Sequence, residues 1–238
     1  LGLPQMPTTS MAAAPGASPP PPIHGRGGEA PGAAAMDVVG ICGSPREGGN
    51  SDVLLAEALR GASGRGGRAL MIPLRDLAIS PCSACEKAGG GSPCAVSDGM
   101  GTVYDAVRGA GAVILATPIY FGGVSAQMKA MIDRFQCAWL AERRSGASLF
   151  PGDRACAFIA VSAGDRPDFF ANARAVARNW CATVHGRWIG ELYCPGVEER
   201  GEAGGRPGMM RAARELGERL IEAAGRPAAE RTEEWRRG

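Results

Sequence analysis

An apolar run breaks into a loop of glycine, serine, arginine and asparagine, and a helix then begins: Val38-Val39-Gly40-Ile41-Cys42-Gly43-Ser44-Pro45-Arg46-Glu47-Gly48-Gly49-Asn50-Ser51. No other stretch constrains the chain as much. Strand, tight turn and helix in that order make a βα unit, and its turn lies at the carboxyl end of the strand. The turn is rich in backbone N–H groups and small hydroxyls. A helix starting near Ser51 aims the positive end of its dipole at the same point. Such a turn is suited to an anion, a phosphate above all.

Residue identity narrows which phosphate. A nucleoside-triphosphate loop requires Lys and then Ser or Thr after its last glycine, and here Gly49 is followed by Asn50 and Ser51. A dinucleotide fingerprint requires G-x-G-x-x-G. Gly40 and Gly43 are spaced G-x-x-G with no third glycine in register. What remains is a hydroxyl- and amide-rich loop with Arg46 as its cation, which suits one terminal phosphate, as in a flavin mononucleotide. The competing reading is a tight βα turn that binds nothing. One Arg among four small polar or glycine residues is more than a turn requires.

The chain has 238 residues, enough for one core with tails or two small domains. A formal net charge of +2 points to neither nucleic acid nor an anionic membrane as partner. No apolar run is long enough to span a bilayer. Residues 1–35 are mostly Ala, Pro and Gly, including Pro19 to Pro22, and are expected to be a disordered tail. They lack the charged and apolar regions of a secretory signal. The tail is either a flexible extension or an over-called start, with Met36 the initiator. Residues 226–238 read as a charged, solvated tail. Eight cysteines in so long a chain do not make a disulfide scaffold, so the expected compartment is the reducing cytoplasm.

Between the tails, short apolar runs alternate with amphipathic segments. Strands are predicted at Val38–Cys42, Ala69–Ile72, Ala112–Ala116, Ala155–Val161 and Val184–Tyr193, and helices at Ser51–Gly61, Gly99–Arg108, Ser125–Ala141, Asp168–Ala182 and Pro207–Ala224. Most strand candidates are continuous apolar runs, as expected where both faces are covered. The last alternates more and reads as an edge. The helix at Ser125–Ala141 carries Met128, Met131, Ile132, Phe135 and Trp139 on one face. Five strands alternating with helices predict an α/β, doubly wound parallel sheet, with ligands at the carboxyl ends of its strands.

Two further strand ends carry unusual loops. Thr117-Pro118-Ile119-Tyr120-Phe121-Gly122-Gly123-Val124-Ser125 joins two aromatics to two glycines. It could bring backbone N–H groups and a stacking surface to a flat ring, or simply bury two aromatics beside a helix cap at Ser125. Val161-Ser162-Ala163-Gly164-Asp165 is small and flexible and placed to close over a ring. Elsewhere Cys82, Cys85 and Cys94 form a C-x-x-C pair with a third thiol, as for a metal or disulfide exchange, but no fourth Cys or His lies nearby. Surface thiols or a vestigial site are the alternatives. Cys42, Cys137, Cys156, Cys181 and Cys194 read as structural, and His185 as a satisfied strand residue. No catalytic triad or carboxylate pair is present.

The Gly-Ser-Pro-Arg…Gly-Asn-Ser loop, together with Pro118-Ile119-Tyr120-Phe121-Gly122…Ser125-Ala126-Gln127-Met128-Lys129…Ile132-Asp133-Arg134, resembles the NAD(P)H-dependent FMN reductase family of the flavodoxin-like superfamily. Leu192-Tyr193-Cys194-Pro195-Gly196-Val197 is similar to the branch containing iron–sulfur flavoproteins. The resemblance spans 36–225. It implies a five-stranded flavodoxin-like sheet in the order 2-1-3-4-5 with FMN at its switch point. By position, Ser44, Arg46, Gly49, Asn50 and Ser51 would hold the phosphate. Pro118, Ile119, Tyr120, Phe121 and Gly122 would line the isoalloxazine, and Ser162, Ala163, Gly164 and Asp165 would close its far side. The implied function is an FMN-dependent oxidoreductase, with NAD(P)H as co-substrate and a small electron acceptor: quinone, flavin, ferric chelate or nitro compound. The implied assembly is a homodimer or homotetramer. An electron-transfer flavoprotein without efficient nicotinamide turnover is the rival. The compact cluster motif of iron–sulfur flavoproteins has a third Cys where this chain has Ala88, so an iron–sulfur cluster is not expected.

Overall fold

The computed structural model describes residues 36–84 and 94–225. The expected tails at 1–35 and 226–238 lie outside the described residues, as do Cys85 and Ala88. The chain runs β1 (Asp37–Cys42), α1 (Asn50–Gly64), β2 (Arg68–Pro73), α2 (Met100–Gly109), β3 (Ala112–Tyr120), β4 (Gly123–Val124), α3 (Ala126–Asp133), α4 (Gln136–Ser145), β5 (Arg154–Ser162), α5 (Pro167–Thr183), β6 (Gly186–Pro195) and α6 (Pro207–Gly225). Short 3₁₀ turns lie at Leu74–Asp76 and Glu202–Gly205.

The long strands are all parallel, in the order β2-β1-β3-β5-β6, and the two-residue β4 pairs antiparallel with the end of β3. Numbering the long strands alone, this is the expected 2-1-3-4-5 order of a flavodoxin-like sheet. Alternate residues of each central strand feed opposite cores. Val39, Ile41, Val113, Leu115 and Phe158 pack under α2, α3 and α5. Val38, Ile114, Ala157 and Ile159 pack under α1 and α6, against Leu54, Leu55, Leu216 and Leu220. Apolar side chains are needed on both faces, so the strands read as unbroken apolar runs. β6 is an edge strand, and nearly all of it is only half-buried.

On the α1/α6 face two glycines bring helix backbones into contact. A Cβ on Gly217 would lie 1.8 Å from the Ala58 carbonyl oxygen, and one on Gly61 would lie 2.2 Å from that of Arg214. No side chain larger than hydrogen fits either place.

The predicted helix at Ser125–Ala141 is two helices, α3 and α4. In a continuous helix the Ala138 N–H would bond the Arg134 carbonyl. Instead that carbonyl accepts the Tyr104 hydroxyl at 2.7 Å and the Cys137 thiol at 3.1 Å, and the Ala138 N–H turns to the Phe135 carbonyl at 2.9 Å. Tyr104 comes from α2, so the break is tertiary in origin. Met128, Met131 and Phe135 are buried as the periodicity predicts, but Trp139 is 42 % exposed. His185 also departs from expectation. It sits in the turn before β6 at φ +54, and its Nε2 lies 2.9 Å from Glu142 Oε2. Val184 caps α5 and the strand starts only at Gly186.

Candidate functional site

The loops that follow β1, β3, β5 and β6 meet at the carboxyl edge of the sheet around a cleft of about 180 Å³. From the first loop come Ser44, Arg46, Gly49, Asn50 and Ser51; from β3, Pro118, Ile119 and Tyr120; from β5, Val161, Ser162 and Ala163; and from the loop after β6, Val197, Glu198 and Arg200. A hollow of about 230 Å³ on the helix side, walled by Ile132, Phe135, Trp139 and Trp180, collects no strand-end loop.

The first loop is braced from beneath by Asp52, in the opening turn of α1. Its buried carboxylate accepts the Gly48 N–H at 2.8 Å, the Cys42 thiol at 2.8 Å and the Arg75 guanidinium at 2.9 Å. Burial, reinforced by the bond to Asp52, pushes the Cys42 thiol well above its ordinary range, so it stays protonated. Ser44 Oγ folds back onto Arg46, accepting its N–H at 3.2 Å. Arg46 itself is exposed, and its guanidinium makes a long contact of 3.4 Å to the Glu198 carbonyl.

The start of α1 has the features of an anion cradle. Gly49 is its N-cap and provides no side-chain acceptor. Ser51 Oγ is buried, 1 % exposed, and finds no hydrogen-bond partner among the described residues. An unpaired buried hydroxyl costs roughly 1–3 kcal/mol. A phosphate oxygen at the helix N-terminus would satisfy both the hydroxyl and the dipole. Asn50 behaves differently from expectation. It lines the cleft, but its side chain fastens the distant loop, donating to the Glu199 carbonyl at 3.0 Å and accepting the Ala203 N–H at 2.9 Å.

The second loop is tied to the first through Ser125. Its hydroxyl donates to the Gly43 carbonyl at 2.6 Å and accepts the Met128 N–H at 3.2 Å, capping α3. A Cβ on Gly43 would lie 2.8 Å from both Ser125 Oγ and Met128 Cβ, so only glycine allows this closure. Pro118, Ile119 and Tyr120 line the cleft, whereas Phe121 and Gly122 do not. The β4 pairing closes a turn over these two residues and turns the Phe121 ring fully into solvent. Gly122 backs onto Phe169, 3.1 Å from the place a Cβ would occupy. Neither aromatic of this loop is a core residue.

In the third loop Ser162 and Ala163 line the cleft, and Gly164 and Asp165 are held off it. The Tyr193 hydroxyl bridges Ser162 Oγ at 2.9 Å, the Gly164 carbonyl at 3.2 Å and the Arg166 N–H at 3.1 Å. That knot fixes the loop's shape and turns Asp165 outward. Val161, Val197, Glu198 and Arg200 are cleft residues that sequence reasoning did not assign. Arg200 gives the cleft a second cation beside Arg46. The Pro195-Gly196 pair just beyond the predicted strand Val184–Tyr193 was the available signal for that loop.

Cys82 and Cys94 are half-buried. Arg134, 1 % exposed, closes the base of their segment: it donates to the Ser80 carbonyl at 2.9 Å, the Val96 carbonyl at 3.1 Å and Asp98 Oδ2 at 2.7 Å. Burial alone would raise the Cys94 thiol, but the Val96 backbone and the Arg134 guanidinium outweigh it and hold the thiol below its ordinary value. Among the described residues no three potential metal ligands gather, and no helix is long and apolar enough to cross a membrane.

Comparison with known proteins agrees with this architecture. An iron–sulfur flavoprotein of Methanocaldococcus jannaschii is 38% identical over 99 residues, 42% of this chain and 51% of the relative. The chain thus spans about half the length of the curated relatives it matches. Among solved structures, a flavone reductase superposes with a TM-score of 0.61 at 21% identity, covering 79% of this chain and 63% of the other. An NAD(P)H:quinone oxidoreductase from Methanothermobacter marburgensis superposes at 0.58 and 16% identity, covering 79% and 98%. At those identities the structures speak for the flavodoxin-like fold. The model of the NADPH-dependent FMN reductase family matches residues 36–194, from just before β1 to the penultimate residue of β6. The chain belongs to the NADPH-dependent FMN reductase family.

Proposed function

We propose that the cleft holds FMN and that the protein reduces a small electron acceptor with NAD(P)H, the overall change being NAD(P)H + H⁺ + oxidised acceptor to NAD(P)⁺ + reduced acceptor. The observation that carries this reading is the unpartnered, buried Ser51 hydroxyl at the open N-terminus of α1, in the same cleft as Arg46. When bound, FMN supplies the chemistry of taking an electron pair from NAD(P)H and passing it on. The chain's own residues bind and orient. Ser51, Arg46 and the first-turn N–H groups hold the phosphate, with Ser44 and Asp52 keeping the loop in shape. Arg200 adds positive charge from the other side. Pro118, Ile119, Tyr120, Ser162 and Ala163 wall the ring. Residence in the cytoplasm and assembly as a dimer or tetramer belong to the same reading.

Titration of the apoprotein with FMN and riboflavin tests it. Arg46→Ala is expected to weaken FMN binding by about 1.5–3 kcal/mol and Ser51→Ala by about 1–2 kcal/mol, with riboflavin binding unchanged. Ser51→Ala should also melt no lower than the parent without ligand, because it removes an unpaired hydroxyl. Equal losses for FMN and riboflavin would sink the phosphate assignment.

The proposed enzyme works without an iron–sulfur cluster, supported by Ala88 at the position of the motif's third cysteine. Three thiolates would leave one iron of a [4Fe–4S] cluster without its Cys ligand. Protein purified anaerobically should therefore carry FMN and well below one iron per chain. Stoichiometric iron and sulfide would instead favour single-electron transfer, as in the electron-transfer reading.

A further inference from the structure

Two buried thiols meet on the sheet face that α5 covers. Cys156 is the third residue of β5, at the end of the strand away from the cleft, and Cys181 lies in the last turn of α5. They are 2 % and 3 % exposed. Gly186, the first residue of β6, lies against both. A Cβ there would stand 2.4 Å from Cys156 Sγ and 2.8 Å from Cys181 Sγ, so the sulfurs are no further apart than those two distances together. Only glycine leaves the pair its room.

The surroundings carry positive charge. Arg154, two residues before Cys156 and on the same face of β5, is buried. It donates to the Phe150 and Pro151 carbonyls at 3.1 Å, and its Nε finds no partner among the described residues. The Cys181 thiol and burial push the Cys156 thiol up, and the guanidiniums of Arg154 and Arg187 act against them. A cation beside two thiols lowers the cost of the anion that attacks an oxidant. The turn over the pair is strained as well, since His185, directly before Gly186, has φ +54.

We propose that Cys156 and Cys181 are a reversible oxidation site: peroxide converts the pair to a disulfide that clips the end of α5 to β5. One sulfur attacks a peroxide oxygen and becomes a sulfenic acid, with loss of one water. The second sulfur attacks the first, the S–S bond forms and a second water leaves. The two thiols give up two electrons and two protons, and one hydrogen peroxide is reduced to two waters. Local opening of the strained turn admits an oxidant this small. Sulfurs this near reach the roughly 2.05 Å of a disulfide by side-chain rotation, with strand and helix left in place. The chain between the cysteines includes Ser162 and Ala163 of the cleft wall, so the clip holds that strand, loop and helix together. In a reducing compartment such a bridge is transient, as in a redox sensor. The inference stands apart from the flavin reading.

The full chain, folded and reduced, is treated with hydrogen peroxide. Free thiols are then alkylated, and the protein is cut with trypsin and analysed by mass spectrometry. Cleavage after Arg174 and Arg178 puts the two cysteines on separate peptides. The expected product is one peptide pair joined through Cys156 and Cys181, released by dithiothreitol. Oxidised protein should melt about 5 °C or more above reduced protein, because the bridge closes a loop in the unfolded chain. Cys181→Ala should give neither the joined pair nor the rise. Absence of the joined pair in the parent, its appearance only in protein unfolded in urea, a lower melting temperature on oxidation, or a rise that persists in Cys181→Ala would each overturn the proposal. If the variant fails to fold, reversal of the parent's rise by dithiothreitol, in step with loss of the joined pair, decides the matter alone.

Discussion

Replacing Arg134 with methionine is expected to cost about 3–5 kcal/mol of stability, because it leaves the largely buried Asp98 carboxylate without its counter-charge. The Arg134 side chain is fully buried and that of Asp98 is 11% exposed, so solvent does little to screen the pair. The loss extends to the Ser80 and Val96 carbonyls, which Arg134 also satisfies. The pH dependence gives a second signature. Burial alone would raise the Asp98 carboxyl, but Arg134 and the N–H groups of Ser80 and Met100 outweigh it and hold it below 3.8. A carboxyl depressed by folding stabilises above its unfolded pKa and loses that contribution as pH falls through the folded one. The gap between parent and Arg134→Met should therefore be full near pH 6 and narrow at pH 3. Urea midpoints at the two pH values measure this. A variant within about 1 kcal/mol of the parent at pH 6 would show that the pair is not an anchor.

Gly217→Ala is expected to cost about 3 kcal/mol and to lower the melting temperature by about 6–12 °C. The new methyl would sit 1.8 Å from the Ala58 carbonyl oxygen, a backbone atom that no rotamer change can move aside. In an open helix the same exchange stabilises by up to about 1 kcal/mol. Gly101 in α2 has nothing within 4 Å of its Cβ position and serves as the control. Gly101→Ala should hold or raise the melting point. If both variants behave alike, α1 and α6 do not touch through their backbones.

The two variants probe what a single sequence hides. The fold was legible because a sheet covered on both faces writes itself as apolar runs, and Val38–Cys42, Ala112–Ala116 and Ala155–Val161 are such runs. The cleft was legible where its parts are continuous with those strands: Ser44 to Ser51, Pro118 to Tyr120, and Ser162 with Ala163. Arg200 and Val197 escaped notice because they reach the cleft from a loop about 150 residues after Ser51, and only the folded sheet brings them there. Asn50 lines the cleft as well, but its second role was hidden for the converse reason. Its neighbours in sequence face the cleft, but its amide is claimed by Glu199 and Ala203. The break between α3 and α4 leaves no mark on the apolar periodicity, since it depends on a hydroxyl supplied by α2. Phe121 was read as a ring wall because a motif records adjacency and not the sign of φ.

Cys42 has a bearing on how such a protein ages. Oxidants and alkylating reagents attack thiolates and largely spare thiols. Cys42 lies directly beneath the first loop, yet its burial and its bond to Asp52 keep the proton on sulfur. Cys94 is the opposite case, half open to solvent and shifted toward its anion. A thiol-directed reagent should therefore modify Cys94 well before Cys42, and the order of labelling read by mass spectrometry checks it.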